Sequence, residues 1–484
     1  MTTHTRDGSV KAAVDHVDDV EANEKAVLPD GQPDQFGSYA KMDAREVALV
    51  RKIDFFMMPI LWLMYFMNFL DRNAMINGKL NGLDKDLKLK GTQYQTCVSI
   101  LFVGYLAGQV PSNMILSKVR PSLYMAVCMM AWAIVSTLTC VVKDYKGMML
   151  CRFFLGLTEA PYYPGALYMI SLFYTRKEIA TRMSIFYTGN MLASSFSGLI
   201  AAGVFAGLDG KAGLEGWRWL FLIQGVVTVV IAVIGVWMLP DTPLKTRWLT
   251  PEERQLAHDR IARDTTGLRE STSAWKGLIE ACSDYRTWIF CLMLNLHLSA
   301  NGFKNFLPTV VKTLGFSTTI TLVLTCPPYL LGAGISILVA ASSGHYNERT
   351  WHITISKGIA IVGFVLGCAT LNIGARYFAM CLFVGATYGV NNIGIGWVAS
   401  TLGQTSEKKA VAVALVNALA NLSFVYTPYL WPDSDAPRFL PAMMASVAFS
   451  AGVVICAWIM RFILARQNRK IRETENEAVN FYAY

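Results

Sequence analysis

Eight stretches of this chain, 122–142, 183–208, 219–240, 313–347, 358–375, 377–406, 410–432 and 439–460, contain no Lys, Arg, Asp or Glu. Each supplies most or all of the roughly 20 residues that cross a bilayer as a helix. Four further stretches are nearly as apolar but carry a few polar groups: 53–74 with Asp54, Asp71 and Arg72; 93–116 with Gln109 and Asn113; 147–171 with Arg152 and Glu159; and 286–311 with Lys304. Backbone groups in hydrocarbon must bond within their own segment, so twelve such stretches specify an all-α membrane protein with twelve transmembrane helices. Composition agrees: 54% of the 484 residues are hydrophobic and only 16% are charged, against about 25% in an average soluble domain.

A polar segment at 241–285 divides the spans six and six, and the run Thr250, Pro251, Glu252, Glu253 within it resembles a helix start. The expected organisation is a disordered cytoplasmic tail (1–50), an N-terminal six-helix bundle (51–240), a cytoplasmic linker (241–285), a C-terminal six-helix bundle (286–463) and a cytoplasmic tail (464–484). Two pseudo-symmetric six-helix bundles are the build of secondary transporters, with the substrate site where the repeats meet. Positive residues stay on the cytoplasmic side. With both termini inside, the inner loops, Lys357 among them, hold 26 Lys and Arg and the outer ones 13. The net charge of +9 is therefore a loop asymmetry and does not call for nucleic acid. Pro161, Pro164, Pro327 and Pro328 fall inside spans and are expected to kink them.

No GxxxxGK[ST], HExxH or CxxC occurs among these residues, so nothing indicates a cofactor, a metal or an ATP-driven machine. The ten cysteines read as small membrane-core hydrophobes. Chemistry must come from charges inside the spans, which are costly and usually mark pathways. Arg152 and Glu159 lie seven residues apart, nearly two full turns, and share one helix face with Gly156, whose lack of a side chain admits a neighbour closely. They are a structural ion pair, a pair of interfacial snorkelling residues, or a functional pair. Asp71 and Arg72 point about 100° apart, and either serve the site or merely reach water at a helix end. Two carboxylates and two guanidiniums are neutral together, and protonating one carboxylate frees a cation to bind an anion. Arg suits a carboxylate because its planar fork makes two parallel charge-assisted bonds. Glu159 is the better proton carrier, since burial and the neighbouring Arg act on its proton in opposite senses. Gln109, Tyr187, Asn190, Asn295, His297, Asn301, Asn391, Asn392, Asn417 and Asn421 line plausible cavity faces, though interhelical amides are also ordinary packing glue. Lys304 is either a second anion contact or a residue at the outer mouth.

These residues resemble the fungal anion:cation symporter branch of the major facilitator superfamily across about 45–472. The likeness rests on Leu70, Asp71, Arg72, Asn73; Gly82 to Leu87; Gly104, Tyr105 with Pro111, Ser112, Asn113; Arg152 to Gly156 with Glu159, Ala160, Pro164, Gly165; Gly216 to Trp219; Leu239 to Asp241; Phe306 to Pro308; and Ser434 to Arg438. It implies proton-coupled uptake of a small organic anion, as in permeases for allantoate, nicotinate, pantothenate and biotin. It also implies roles for the acid and Arg of the first span and the Arg and Glu of the fourth. The candidate proton-coupling residues are thus Asp71 and Glu159. The candidate substrate-binding residues are Arg72, Arg152, Tyr105, Asn190, Asn301, Asn392, Asn417 and Asn421. The chain departs from the pattern at Ser343, Gly344, His345, where relatives often carry Asp and Arg, and at Ala420, Asn421 in place of Gly-Asn. The expected partners are the anion, protons and lipid, for a monomer in the plasma membrane. An exporter, an intracellular carrier or a transporter-like nutrient receptor would show the same pattern.

Overall fold

The computed structural model describes residues 44–116, 119–265, 274–346, 348–402, 406–474 and Tyr482. The expected tail at 1–50 lies almost wholly outside them, as does the end of the tail at 464–484. Every regular element among the described residues is helical. The first half comprises α1 (Ala44–Lys79), α2 (Gln93–Leu116), α3 (Pro121–Leu138), α4 (Tyr145–Glu159), α5 (Tyr162–Phe173), α6 (Arg176–Leu208) and α7 (Gly216–Met238). Two linker helices follow, α8 (Pro251–Thr265) and α9 (Ala274–Ser283). The second half comprises α10 (Tyr285–Ala300), α11 (Leu307–Lys312), α12 (Thr318–Leu324), α13 (Cys326–His345), α14 (Thr350–Ala369), α15 (Ile373–Thr401), α16 (Ser406–Asn421), α17 (Ser423–Tyr426) and α18 (Leu440–Thr474).

Nine of the described helical spans are long and apolar enough to cross a bilayer by themselves. The other three expected spans are filled by α2, by α4 with α5, and by α10 with α11, consistent with twelve. The breaks have local causes. Pro161 stands between α4 and α5, while Pro308 and the pair Pro327 and Pro328 sit in the first turns of α11 and α13, where a missing N–H leaves no carbonyl unpaired. Helix α1 has 36 residues, about 54 Å at 1.5 Å each, so Arg72 lies inside it and not at its end.

The halves pack alike: α7 lies against α1 and α3, and α18 lies against α10 and α14. Each has its own apolar core. A third core joins them opposite the linker, where Ala74, Met75, Tyr94 and Cys97 meet Phe303, Phe306, Leu307 and Trp431. Lys79 also crosses there to Asp433 at 2.7 Å, Gln95 donates to the Trp431 carbonyl at 3.3 Å, and the Thr96 and Tyr429 hydroxyls meet at 3.1 Å.

At the linker end, Thr250 and Glu253 cap α8 reciprocally. The α8 side chain of Arg260 reaches Glu178 and the Phe173 carbonyl. In the other half Glu348 pairs with Arg461 at 2.8 Å, close to the Ser343, Gly344, His345 departure, and Arg349 donates to the Ser343 carbonyl. One sequence expectation is corrected here: Lys357 is no loop residue. Because α14 starts at Thr350, Lys357 is two turns inside it and fully buried.

Asp284 caps α10 and binds both Arg286 and Lys408 at 2.7 Å. Burial disfavours its charge, but the two cations outweigh burial and hold the carboxyl at about 2 instead of 3.8. A depressed carboxyl stabilises the fold fully above its unfolded value and loses that contribution as pH falls through the folded one. Asp284→Asn is therefore expected to lower the melting temperature of the solubilised protein at pH 7. It should also flatten the loss of stability between about pH 4 and pH 2, followed by thermal unfolding in detergent.

Candidate functional site

Where α4 meets α2, three glycines replace side chains with backbone contact. A Cβ on Gly156 would collide with the Leu101 carbonyl, one on Gly104 with the Phe153 carbonyl, and one on Gly108 with the Leu157 carbonyl. This close approach fixes the α4 face that carries Arg152 and Glu159. Gly156→Leu is expected to abolish recovery of folded protein, because overpacking against backbone cannot be relieved by a rotamer change. A monodisperse Gly156→Leu peak on size exclusion would refute it.

That face borders a cavity of about 180 Å³ between the halves. Glu159 is wholly buried and accepts a bond from Arg72 Nε at 2.6 Å, so its partner is the α1 arginine and not the one on its own helix. The Arg72 guanidinium lies 4.9 Å from the centre of the Tyr105 ring and 5.3 Å from that of Phe69, a cation–π setting. Arg152 is 3% exposed, and its Nη2 reaches the Arg72 carbonyl at 3.5 Å. Its Nε and Nη1 have no hydrogen-bond partner among the described residues.

Of the residues singled out from sequence, Arg72, Tyr105, Arg152, Glu159, Asn190, Asn417 and Asn421 line this cavity, together with Tyr187, Asn391 and Lys304. Asn391 donates to the Tyr187 hydroxyl across the halves at 3.2 Å, and Asn421 donates to the Asn417 carbonyl at 2.8 Å. Lys304 belongs to the cavity wall, its Nζ 4.0 Å from the centre of the Tyr388 ring.

Three of the candidate site residues lie elsewhere. Asp71 is fully buried behind the wall, among α1, α3 and α7, where Ser136 donates to it at 3.1 Å and the Thr228 hydroxyl lies 3.4 Å away. Asn301 is fully buried against His297 at 3.2 Å. Asn392 is outside the lining, one position from Asn391, which is within it. Asn295 bonds the Leu419 carbonyl and Tyr426, a link between helices. Ala420 packs into the core of the second half.

The sequence reading passed over the tyrosines Tyr65, Tyr163, Tyr329 and Tyr388 and the polar residues Asn68, Ser194 and Asn305, and gave Asn73 no role beyond its motif; all of them line the cavity. A hydroxyl-bearing ring inside an apolar span is a faint signal of a wetted face, because its oxygen seeks a partner. The wall therefore carries three cations, Arg72, Arg152 and Lys304, against one carboxylate, Glu159, amid flat aromatic surfaces. Such a site can bind an anion and hold its body between rings.

Comparison with known proteins agrees with this architecture. The sequence profile of the Major Facilitator Superfamily matches residues 61–428. The chain is 30% identical over 434 residues to the Major facilitator-type transporter hxnP of Emericella nidulans, covering 88% of this chain and 87% of that protein. It is 30% identical over 411 residues to the MFS-type transporter efuF of Hormonema carpetanum, covering 84% and 83%. It is 26% identical over 466 residues to the Pantothenate transporter liz1 of Schizosaccharomyces pombe, covering 92% and 88%. Among solved structures, a D-xylose-proton symporter superposes with a TM-score of 0.64 at 16% identity, over 84% of this chain and 97% of that one. With its helical spans, its two halves and the cavity between them, the chain belongs to the major facilitator superfamily, a multi-pass membrane transporter and not an enzyme.

Proposed function

We propose that this transporter takes up a small organic anion, a carboxylate of the vitamin or allantoate-like kind, together with protons. The observation that carries this reading is Arg152, buried beside the cavity with two guanidinium nitrogens unbonded. A buried donor left without an acceptor is costly, and a carboxylate is its natural complement. The tyrosine walls favour a flat acid. The relative named as a pantothenate transporter carries a molecule of this chemical class.

Glu159 is the proposed proton carrier. While it is ionised, Arg72 is engaged at 2.6 Å; when it is protonated, Arg72 loses that partner and becomes available to the substrate. Proton and anion then favour each other's binding, which is symport in thermodynamic terms. Asp71 assists from behind the wall, within electrostatic reach of Glu159. In this reading the protein is a plasma-membrane monomer with the linker 241–285 and both termini in the cytoplasm, so that the sealed face is extracellular and the cavity is approached from the cytoplasm. The linker separates the bundles 51–240 and 286–463.

The test is uptake of labelled nicotinate, pantothenate, biotin and allantoate in transport-deficient yeast at pH 5 and pH 7. Saturable uptake that is stronger at pH 5 and collapses with an uncoupler is the expected result. Surface-expressed protein that accumulates none of them but confers resistance to one would replace import with export.

A further inference from the structure

The second half buries polar atoms that the cavity does not use. Lys357 on α14 is 0% exposed, and its Nζ has no hydrogen-bond partner among the described residues. His297 on α10 is equally buried; its Nε2 meets Asn301, while its Nδ1 and the Asn301 Oδ1 are unbonded. Ser450 on α18 is buried with its hydroxyl unpaired.

Helix α18 brings these groups to one level. Against α14, its Met443 faces Gly367 and its Trp458 donates to Thr354. Against α10, its Gly452 faces Leu296 and its Gln467 accepts from Arg286. Following both contacts along the helices places His297 and Lys357 within about one turn of each other on α18, beside Ser450. Both lie within electrostatic reach of each other and of Lys304 in the cavity wall.

The first half also buries an ionisable group among the same three spans. Asp71, Ser136 and Thr228 lie on its first, third and sixth spans, and His297, Lys357 and Ser450 lie on the first, third and sixth spans of the second. One half thus buries an acid among its first, third and sixth spans, and the other buries bases among its own.

Among the described residues, the two helices packed most closely on α14, α15 and α18, place no acidic side chain in a bond with Lys357. On α15, Arg376 bonds Thr313 and the Pro437 carbonyl, Tyr377 bonds the Leu324 carbonyl, and Tyr388 lies under Lys304. On α18, Arg461 is engaged by Glu348 at the linker end. The other titratable groups on these two helices within the bilayer are the thiols of Cys381 on α15 and Cys456 on α18; the charged partners within electrostatic reach of Lys357 are His297 and Lys304, both bases. An unpaired buried ammonium is expensive, and that cost is relieved only by losing a proton or gaining an anion nearby.

We propose that Lys357, with His297 beside it, is a second proton-exchange site whose occupancy follows the anion in the cavity through Lys304. One proton passes from cavity water to the lone pair of the Lys357 amine when the anion arrives, and returns to water when it leaves. No other bond changes. This rests on the anion-transport reading above.

The experiment counts protons taken up per anion bound, by calorimetry of the purified full-length protein in two buffers of different ionisation enthalpy, between pH 5 and pH 8. The probes are nicotinate, pantothenate, biotin and allantoate. Lys357→Met is expected to bind the same acid as wild type with up to one proton fewer per anion. Lys357→Arg, which keeps its proton at any accessible pH, should show the same deficit and carries the test should Lys357→Met fail to purify as a monodisperse protein. An unchanged proton count in these variants overturns the inference and leaves anion transport standing. Failure of wild type to bind any of the four acids removes the reading beneath it.

Discussion

Replacing Arg152 with Lys is expected to weaken anion binding about 100-fold, equivalent to roughly 3 kcal/mol, with normal folding and surface expression. Lys preserves the charge, so a site that needed only positive potential would tolerate it. Here the arginine is 3% exposed and one nitrogen already holds the Arg72 carbonyl, while two others face no acceptor. A forked guanidinium can grip backbone and substrate together, whereas an ammonium on a flexible stem offers a point charge with no fixed plane. Arg152→Gln removes the charge as well and should cost about 1,000-fold, inside the range for stripping one partner from a buried charged pair. Binding affinity and initial uptake rates read both variants. Wild-type affinity in Arg152→Gln would mean that the anion sits elsewhere.

Glu159→Gln is expected to separate exchange from accumulation. The amide has the shape of the acid but takes up no proton at the pH of transport, so Arg72 keeps one unvarying neighbour and the pH gradient loses its handle. Under the proposed coupling of one proton per anion, wild type is expected to concentrate the anion about tenfold per pH unit. In the variant that ratio should fall to the level set by diffusion, while counterflow of labelled for unlabelled substrate continues. A folded, correctly targeted variant that has lost counterflow would make Glu159 a substrate or packing residue instead. Asp71→Asn should have the milder effect, since Asp71 meets Ser136 and Thr228 away from the cavity.

The spans were legible because hydrocarbon imposes a length on any uncharged run, and no competing fold needs stretches such as 183–208 or 439–460. Arg72, Arg152 and Glu159 were legible for the converse reason: a charge is rare where it is costly, so each one present draws attention. Helix rotation was not legible. Asn391 and Asn392 are neighbours about 100° apart, and only the packing of α15 decides which one faces the cavity. The pairing of Glu159 with Arg72 and not with Arg152 is likewise a matter of how α1 and α4 are juxtaposed, which spacing on one helix cannot reveal. Tyr65, Tyr163, Tyr329 and Tyr388 were hidden because an aromatic in a span faces lipid, core or cavity with the same letter. Lys357 was counted with the loops because an ion near the start of a span looks the same whether it snorkels or is buried.

The seal opposite the linker, with Phe306 stacked on Trp431 and Lys79 bridged to Asp433, makes the protein sided with respect to its inhibitors. A compound that fits the cavity but is too bulky to be carried has to reach this state from the linker face. By wedging the halves there it would hold the opposite face shut, and so act as a non-competitive blocker of substrate arriving at the sealed face.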